Sequence, residues 1–172
     1  MTAETWVAIC TGALAAATFL LALLTFRLEL AWRKNSTQQI GVQTWLNLQS
    51  RFDSKELKRC RKKLAQQLDP YEQSEHDKVV EDLFDLFEDI GTVYDQNLLN
   101  RQLAESTFSY YVNHWWRAAK PYIDHDRMLH RDDNSMFIEF EKLAKAWRHR
   151  DPEISDGALK RFLEEEKHLR ID

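Results

Sequence analysis

Residues 6–26, WVAICTGALAAATFLLALLTF, contain no charged side chain, and they constrain the fold more than any other stretch. As a helix that rises 1.5 Å per residue they extend roughly 31 Å, about the thickness of the hydrocarbon layer of a bilayer. A secretory signal peptide begins with basic residues and has a shorter apolar segment, whereas the preceding MTAE has no Lys or Arg. A buried helix of a globular protein, the other alternative, is usually shorter too. The stretch therefore predicts an N-terminal transmembrane anchor.

The residues that flank this stretch predict its orientation. Aromatic and basic side chains that favour the membrane–water interface lie at Trp6, Arg27, Trp32, Arg33 and Lys34. The basic ones all follow the stretch, and the basic side of a span normally stays in the cytoplasm. We therefore expect a single-pass protein of the inner (cytoplasmic) membrane, with its N-terminus outside and its remaining residues in the cytoplasm.

Small residues form a strip along one face of the predicted anchor, at Gly12, Ala13, Ala16 and Ala17. Strips of this kind let two helix backbones approach closely in lipid. They are compatible with a homodimer or with contact to a different membrane subunit, and the sequence leaves both alternatives open.

The rest of the chain predicts an all-α fold. Only four Gly and three Pro interrupt 172 residues, and apolar side chains recur at three- and four-residue steps. We expect a compact bundle of about five or six helices, with N-caps at Asp53, Asn100 and Ser155 and a break or kink at Pro121. The predicted organisation is an anchor and its cytoplasmic extension (1–34), a cytoplasmic helical domain (35–150) and a charged C-terminal helix (151–172).

Residues 108–122, FSYYVNHWWRAAKPY, are unusually aromatic, which raises the question of a ligand platform. On a helix the most apolar positions recur every three or four residues, so they indicate a face that packs in the core. That stripe consists of Ala104, Phe108, Tyr111, Trp115, Ala118 and Tyr122. A second row beside it, Tyr110, His114 and Arg117, forms a polar margin that is a candidate for functional contacts.

A basic segment occupies residues 51–63, with seven basic and two acidic side chains. On a helix, one face would carry Arg51, Lys55, Lys58, Arg59 and Lys62. This face is either simply solvated or in contact with anionic lipid headgroups. Nucleic acid is not an expected partner, because the residues after the apolar stretch include 24 basic and 27 acidic side chains.

Two acidic regions raise the question of a metal site. The acids between residues 81 and 89 alternate with apolar residues and predict a solvated helix face: Glu81, Asp82, Asp85, Glu88 and Asp89. The cluster at 124–133 contains Asp126 and His130, which would share a helix face and are weak candidate metal ligands. Since this cluster has no apolar frame, a mobile connector is the preferred interpretation, and no metal or other cofactor is expected.

Several segments together resemble a family of bacterial proteins classified as a domain of unknown function. They are LFEDIGTVYDQNLLNRQLAESTFSYYVNHWW, KPYI and FIEFEKLAKAW, and the similarity extends over roughly residues 45–148. The resemblance implies an N-terminal transmembrane helix followed by a small cytoplasmic helical domain. It implies no catalytic residues.

The sequence contains no glycine-rich phosphate loop, no Cys-x-x-Cys and no nucleophile in a recognised setting. The expected function is therefore non-enzymatic: a membrane-anchored adaptor, regulator or accessory subunit that contacts another membrane or cytoplasmic protein. The alternative is a membrane-tethered hydrolase or metal-binding domain that uses the 124–133 cluster.

Overall fold

The computed structural model describes residues 3–68, 81–129 and 136–171, and within these ranges it leaves the side chains of 3–10, 13, 30, 31, 33–38, 81 and 129 undescribed. The described residues form helices and no strands, so the predicted all-α class is confirmed. The helices are α1 (Ala3–Phe52), α2 (Lys55–Gln67), α3 (Glu81–Asp95), α4 (Arg101–Leu129), α5 (Ile138–Trp147) and α6 (Asp156–Lys167).

The transmembrane part of the predicted fold is wrong. Within the described residues, none of the helices combines the length and the apolar character that crossing a bilayer requires. Within α1 the charge-free residues end at Phe26. Arg27 and Glu29 follow directly. The finding also contradicts the predicted single-pass topology and inner-membrane localisation.

The chain divides into two compact units, Met1–Ile40 and Gly41–Asp172. The described side chains of the first unit, all on α1, are exposed. The second unit contains the end of α1 and helices α2–α6, and it holds the hydrophobic core. Its principal helix pairs are α3 with α5, α4 with α5 and α2 with α6.

The aromatic stretch of α4 belongs to this core. Phe108 and Trp115 are fully buried, so the core interpretation of the stretch is confirmed. Three further positions are also fully buried, Val112, Ala119 and Ile123, and each lies one residue after a predicted member of the stripe. Tyr111, Ala118 and Tyr122 are instead half-buried at its edge.

Helix α4 runs through Pro121, so the predicted break at this residue is wrong. A proline inside a helix removes one backbone hydrogen bond, but packing of the next turns can compensate for the loss. Ile123 is fully buried, and the guanidinium of Arg127 donates to the Met136 carbonyl at 2.7 Å and to Glu141 at 2.7 Å. The start of the 124–133 segment, up to Leu129, is therefore helix rather than a connector.

Two of the predicted N-caps are confirmed, and one moves by a residue. Asn100 accepts a hydrogen bond from the Leu103 amide at 3.1 Å, and Ser155 accepts one from the Ala158 amide at 3.2 Å. Helix α2 is capped by Ser54 rather than by Asp53, since the Ser54 hydroxyl accepts from the Leu57 amide at 3.1 Å.

Helix α5 is capped by a side chain from another helix. Its own N-cap residue, Phe137, has a left-handed φ of 57° and makes no side-chain capping bond. A carboxylate oxygen of Glu88 on α3 instead accepts from the Phe140 amide at 2.6 Å. The sequence predicts a solvated face for Glu88, and that prediction is wrong because the N-terminal end of α5 lies against this side chain.

The same two helices approach closely at Gly91. A Cβ atom at this position would lie 2.7 Å from the backbone oxygen of Glu139 on α5, so only glycine fits. One turn earlier, Phe87 stacks on Phe140 with ring centroids 4.7 Å apart. The FEDIG segment therefore serves to join α3 to α5.

Candidate binding surfaces

The described side chains of the first unit present a large exposed apolar surface. Between Thr11 and Glu29 eight large apolar side chains are 46% to 69% exposed: Leu14, Phe19, Leu20, Leu21, Leu23, Leu24, Phe26 and Leu28. Because successive residues of a helix are rotated by about 100°, these eight positions surround the helix instead of forming one stripe.

The structure describes only some of the side chains predicted to flank this stretch or to form its strip of small residues. Arg27 and Trp32 are exposed, and Trp32 is 77% exposed. Gly12, Ala16 and Ala17 are also exposed, and nothing lies within 4 Å of a Cβ built on Gly12. The side chains of Trp6, Ala13, Arg33 and Lys34 lie outside the described residues.

The basic residues predicted to share one face of α2 are split between two helices. Arg51 lies at the end of α1 and forms an exposed ion pair with Asp89 of α3 at 2.6 Å. On α2, Lys55 and Arg59 are exposed, whereas Lys58 and Lys62 are half-buried.

One basic residue of this segment is buried, and sequence reasoning missed its role. Arg61 donates to Glu166 of α6 from Nε at 2.8 Å and from Nη2 at 2.5 Å. Its guanidinium lies 4.1 Å from the ring centroid of Phe52 and 5.1 Å from that of Tyr111. The pair therefore connects α2 to α6 inside the core. No local pattern distinguishes Arg61 from its basic neighbours, because its partner is 105 residues away.

The predicted polar margin of α4 contributes to two different surfaces. His114 is buried, and its Nδ1 donates to the Tyr110 carbonyl at 2.8 Å. The rings of Tyr110 and His114 both pack against Phe162 of α6, with centroids 5.7 Å and 4.9 Å from it. Both residues therefore support α6, whereas Arg117 lines a cleft on the side of α5.

This cleft, of about 360 Å³, lies between α4, α5 and the connection that follows α5. Its basic side chains are Arg117 and Lys120 of α4, together with Lys145 and Arg148 at the end of α5. Each pair is spaced by three residues on its helix, a pattern that the sequence contains. Recognising it as one site requires knowing that the two helices meet here.

A smaller acidic cleft of about 310 Å³ contains Asp126, one of the candidate metal ligands, beside Asp85 and Glu88 of α3. Burial raises the pKa of both Asp85 and Glu88. The neighbouring carboxylates of Asp82 and Asp89 raise the pKa of Asp85 further. Among the described residues, no group of three His, Cys, Asp or Glu side chains could hold a metal ion. His130 lies outside the described residues.

Comparison with known proteins identifies the family of the chain. No curated protein and no solved structure matches it. A family model described as a domain of unknown function (DUF4760) does match, over residues 12–147. These include the FEDIG segment, the aromatic helix and α5. Because the match covers most of the sequence, the protein belongs to the DUF4760 family.

Proposed function

We propose that the protein is a bacterial, non-enzymatic adaptor, regulator or accessory subunit that acts through contacts with another protein. The observation that carries the proposal is the set of eight exposed apolar side chains on α1. Contiguous exposed apolar surface of this kind is typical of interaction sites, whereas isolated exposed apolar residues are normal.

The free energy available from burying these apolar side chains is large enough for a stable contact. Burying one Leu or Phe side chain contributes about 1.5–3 kcal/mol, so even part of this surface would stabilise a complex. The arrangement also defines the partner. One helix packed alongside α1 would cover one side only, and apolar side chains would remain exposed on the others. The proposed partner therefore contacts this segment on several sides.

The test is the composition of the complex isolated from the native host. Leu20 and Leu24 are one helical turn apart, and we expect Leu20→Gln with Leu24→Gln to lower recovery of a stoichiometric partner at least about tenfold. Met128→Gln is the matched control, since it removes a similarly exposed apolar side chain from α4 and should leave recovery unchanged. Native mass spectrometry provides the measurement. Recovery of the chain alone, or with lipid as its only companion, would contradict the proposal.

A further inference from the structure

The cleft between α4 and α5 concentrates positive charge on an acidic unit. Residues 41–172 contain 21 basic and 26 acidic side chains. The lining of the cleft reverses this balance, with four basic side chains and two acidic ones, Glu141 and Asp151. Lys145 and Arg148 lie near the end of α5, where cations interact favourably with the helix dipole. The helix dipole does not account for Arg117 and Lys120 in the same way, because both residues lie well inside α4.

The two acidic side chains of the cleft are already engaged. Glu141 forms ion pairs with Arg127 and Lys145, each at 2.7 Å. Asp151 accepts a hydrogen bond from the buried Asn113 side chain at 3.4 Å. The charge of Glu141 is therefore compensated within the fold, whereas Asp151 accepts one long hydrogen bond from a neutral amide.

Three of the four basic side chains, all but the Lys145 that pairs with Glu141, are in contrast available for a ligand. Arg148 is exposed and has no ion-pair partner among the described residues. Arg117 pairs with Asp156, which is 95% exposed, and Lys120 pairs with the half-exposed Asp124. Solvent-exposed pairs contribute only about 0–1 kcal/mol, so a bound anion could replace them at little cost.

Apart from Asn113, the remaining lining of the cleft is apolar. It comprises Trp116, Ala144, Pro152 and Ile154. Trp116 is half-buried and held edge-on against Phe140, with ring centroids 5.2 Å apart. A phosphate group alone would leave this apolar surface uncovered. The combination fits a ligand that carries both carboxylates and an apolar side chain.

We propose that this cleft binds an acidic segment of a partner protein, with its carboxylates on Arg117, Lys120 and Arg148 and an apolar side chain against Trp116. The inference deepens the proposed role in protein contacts, but it concerns a surface of the second unit and uses none of the exposed residues of α1. Loss of the α1 contact and loss of the cleft contact can therefore be measured separately.

Fluorescence anisotropy of the full-length protein with a labelled peptide, Glu-Glu-Leu-Glu-Glu, tests the proposal. We expect saturable binding that weakens as salt is added and that is absent for Gln-Gln-Leu-Gln-Gln. Arg148→Glu should weaken binding roughly fivefold to tenfold, because it replaces an attraction by a repulsion. Arg59→Glu, an equal charge reversal on the exposed side of α2, should leave the affinity unchanged.

Labelling the protein with 5-fluorotryptophan locates the peptide. The fluorine signal of residue 116, assigned by its loss in Trp116→Phe, should shift on titration. The proposal is overturned if the glutamate peptide does not bind, if the glutamine peptide binds equally well, or if Arg59→Glu weakens binding as much as Arg148→Glu does.

Discussion

Removing either member of the Arg61–Glu166 pair should destabilise the second unit strongly. Both side chains are almost completely buried, at 4% and 5% exposed, and two hydrogen bonds join them. Arg61→Met keeps most of the side-chain volume, but it leaves the Glu166 carboxylate buried without its cation. An uncompensated buried charge costs about 3–5 kcal/mol. Loss of the cation–π contact with Phe52 adds about 0.5–2 kcal/mol.

The double variant separates the cost of an orphaned charge from the contribution of the pair. With Glu166→Leu added to Arg61→Met, no buried charge remains, and apolar replacements of similar volume are often neutral or even stabilising. We therefore expect the double variant to be within about 2 kcal/mol of the native protein. The two single substitutions should then be strongly non-additive.

Urea unfolding of the full-length protein, followed by circular dichroism, measures these free energies. The matched control is Arg51→Met, since the Arg51–Asp89 pair has a similar distance of 2.6 Å but is more than half exposed, and it should cost less than about 1 kcal/mol. The reasoning is refuted if Arg61→Met costs no more than Arg51→Met, or if the costs of Arg61→Met and Glu166→Leu simply add.

Substitutions at three further positions test the core and the α3–α5 contact by the same unfolding assay. Trp115→Ala should cost about 3–5 kcal/mol if the side chain is core, and an unchanged unfolding midpoint would contradict that assignment. Gly91→Ala should cost about 1–3 kcal/mol although alanine favours helix, because the backbone of Glu139 cannot move away. Gly157→Ala is the control, since open space surrounds this position, and it should not destabilise the protein. Glu88→Ala should cost about 1–2 kcal/mol by removing the acceptor for the α5 amide. Burial raises the pKa of Glu88, so the stability that its protonation contributes is present below pH 4.5 and is lost as the pH rises through its folded-state pKa. Glu88→Gln, which stays neutral, should therefore gain stability relative to the native protein between pH 4.5 and neutrality, and a change in the opposite direction would refute this assignment.

Local patterns predicted the helices and several of their ends well. Periodic apolar positions identified α4 and placed Phe108 and Trp115 in the core. Asn100 and Ser155 were recognisable as N-caps because a capping residue acts on amides only two or three positions ahead. These features depend on neighbours in the sequence, so the sequence alone contains the necessary information.

Most failures of prediction involve contacts between distant segments. The continuation of α4 through Pro121 depends on packing that follows it, and the cap of α5 comes from Glu88, 52 residues away from Phe140. The pairing of Arg61 and the cleft between α4 and α5 likewise exist only once the helices are assembled. For the apolar stretch of α1, hydropathy alone predicted an anchor that the described helices do not support.

The identity of the molecules that contact α1 tests the central proposal most directly. A photo-reactive amino acid in place of Leu24, which is 59% exposed, can be cross-linked in living cells of the native host and its adducts identified by mass spectrometry. The same amino acid in place of Lys160 of α6, an exposed polar position, provides the control. We predict a discrete adduct with one other protein at position 24, absent at position 160 and lost with Leu20→Gln. Adducts confined to lipid at position 24, or protein adducts that are the same at both positions, would contradict the proposal.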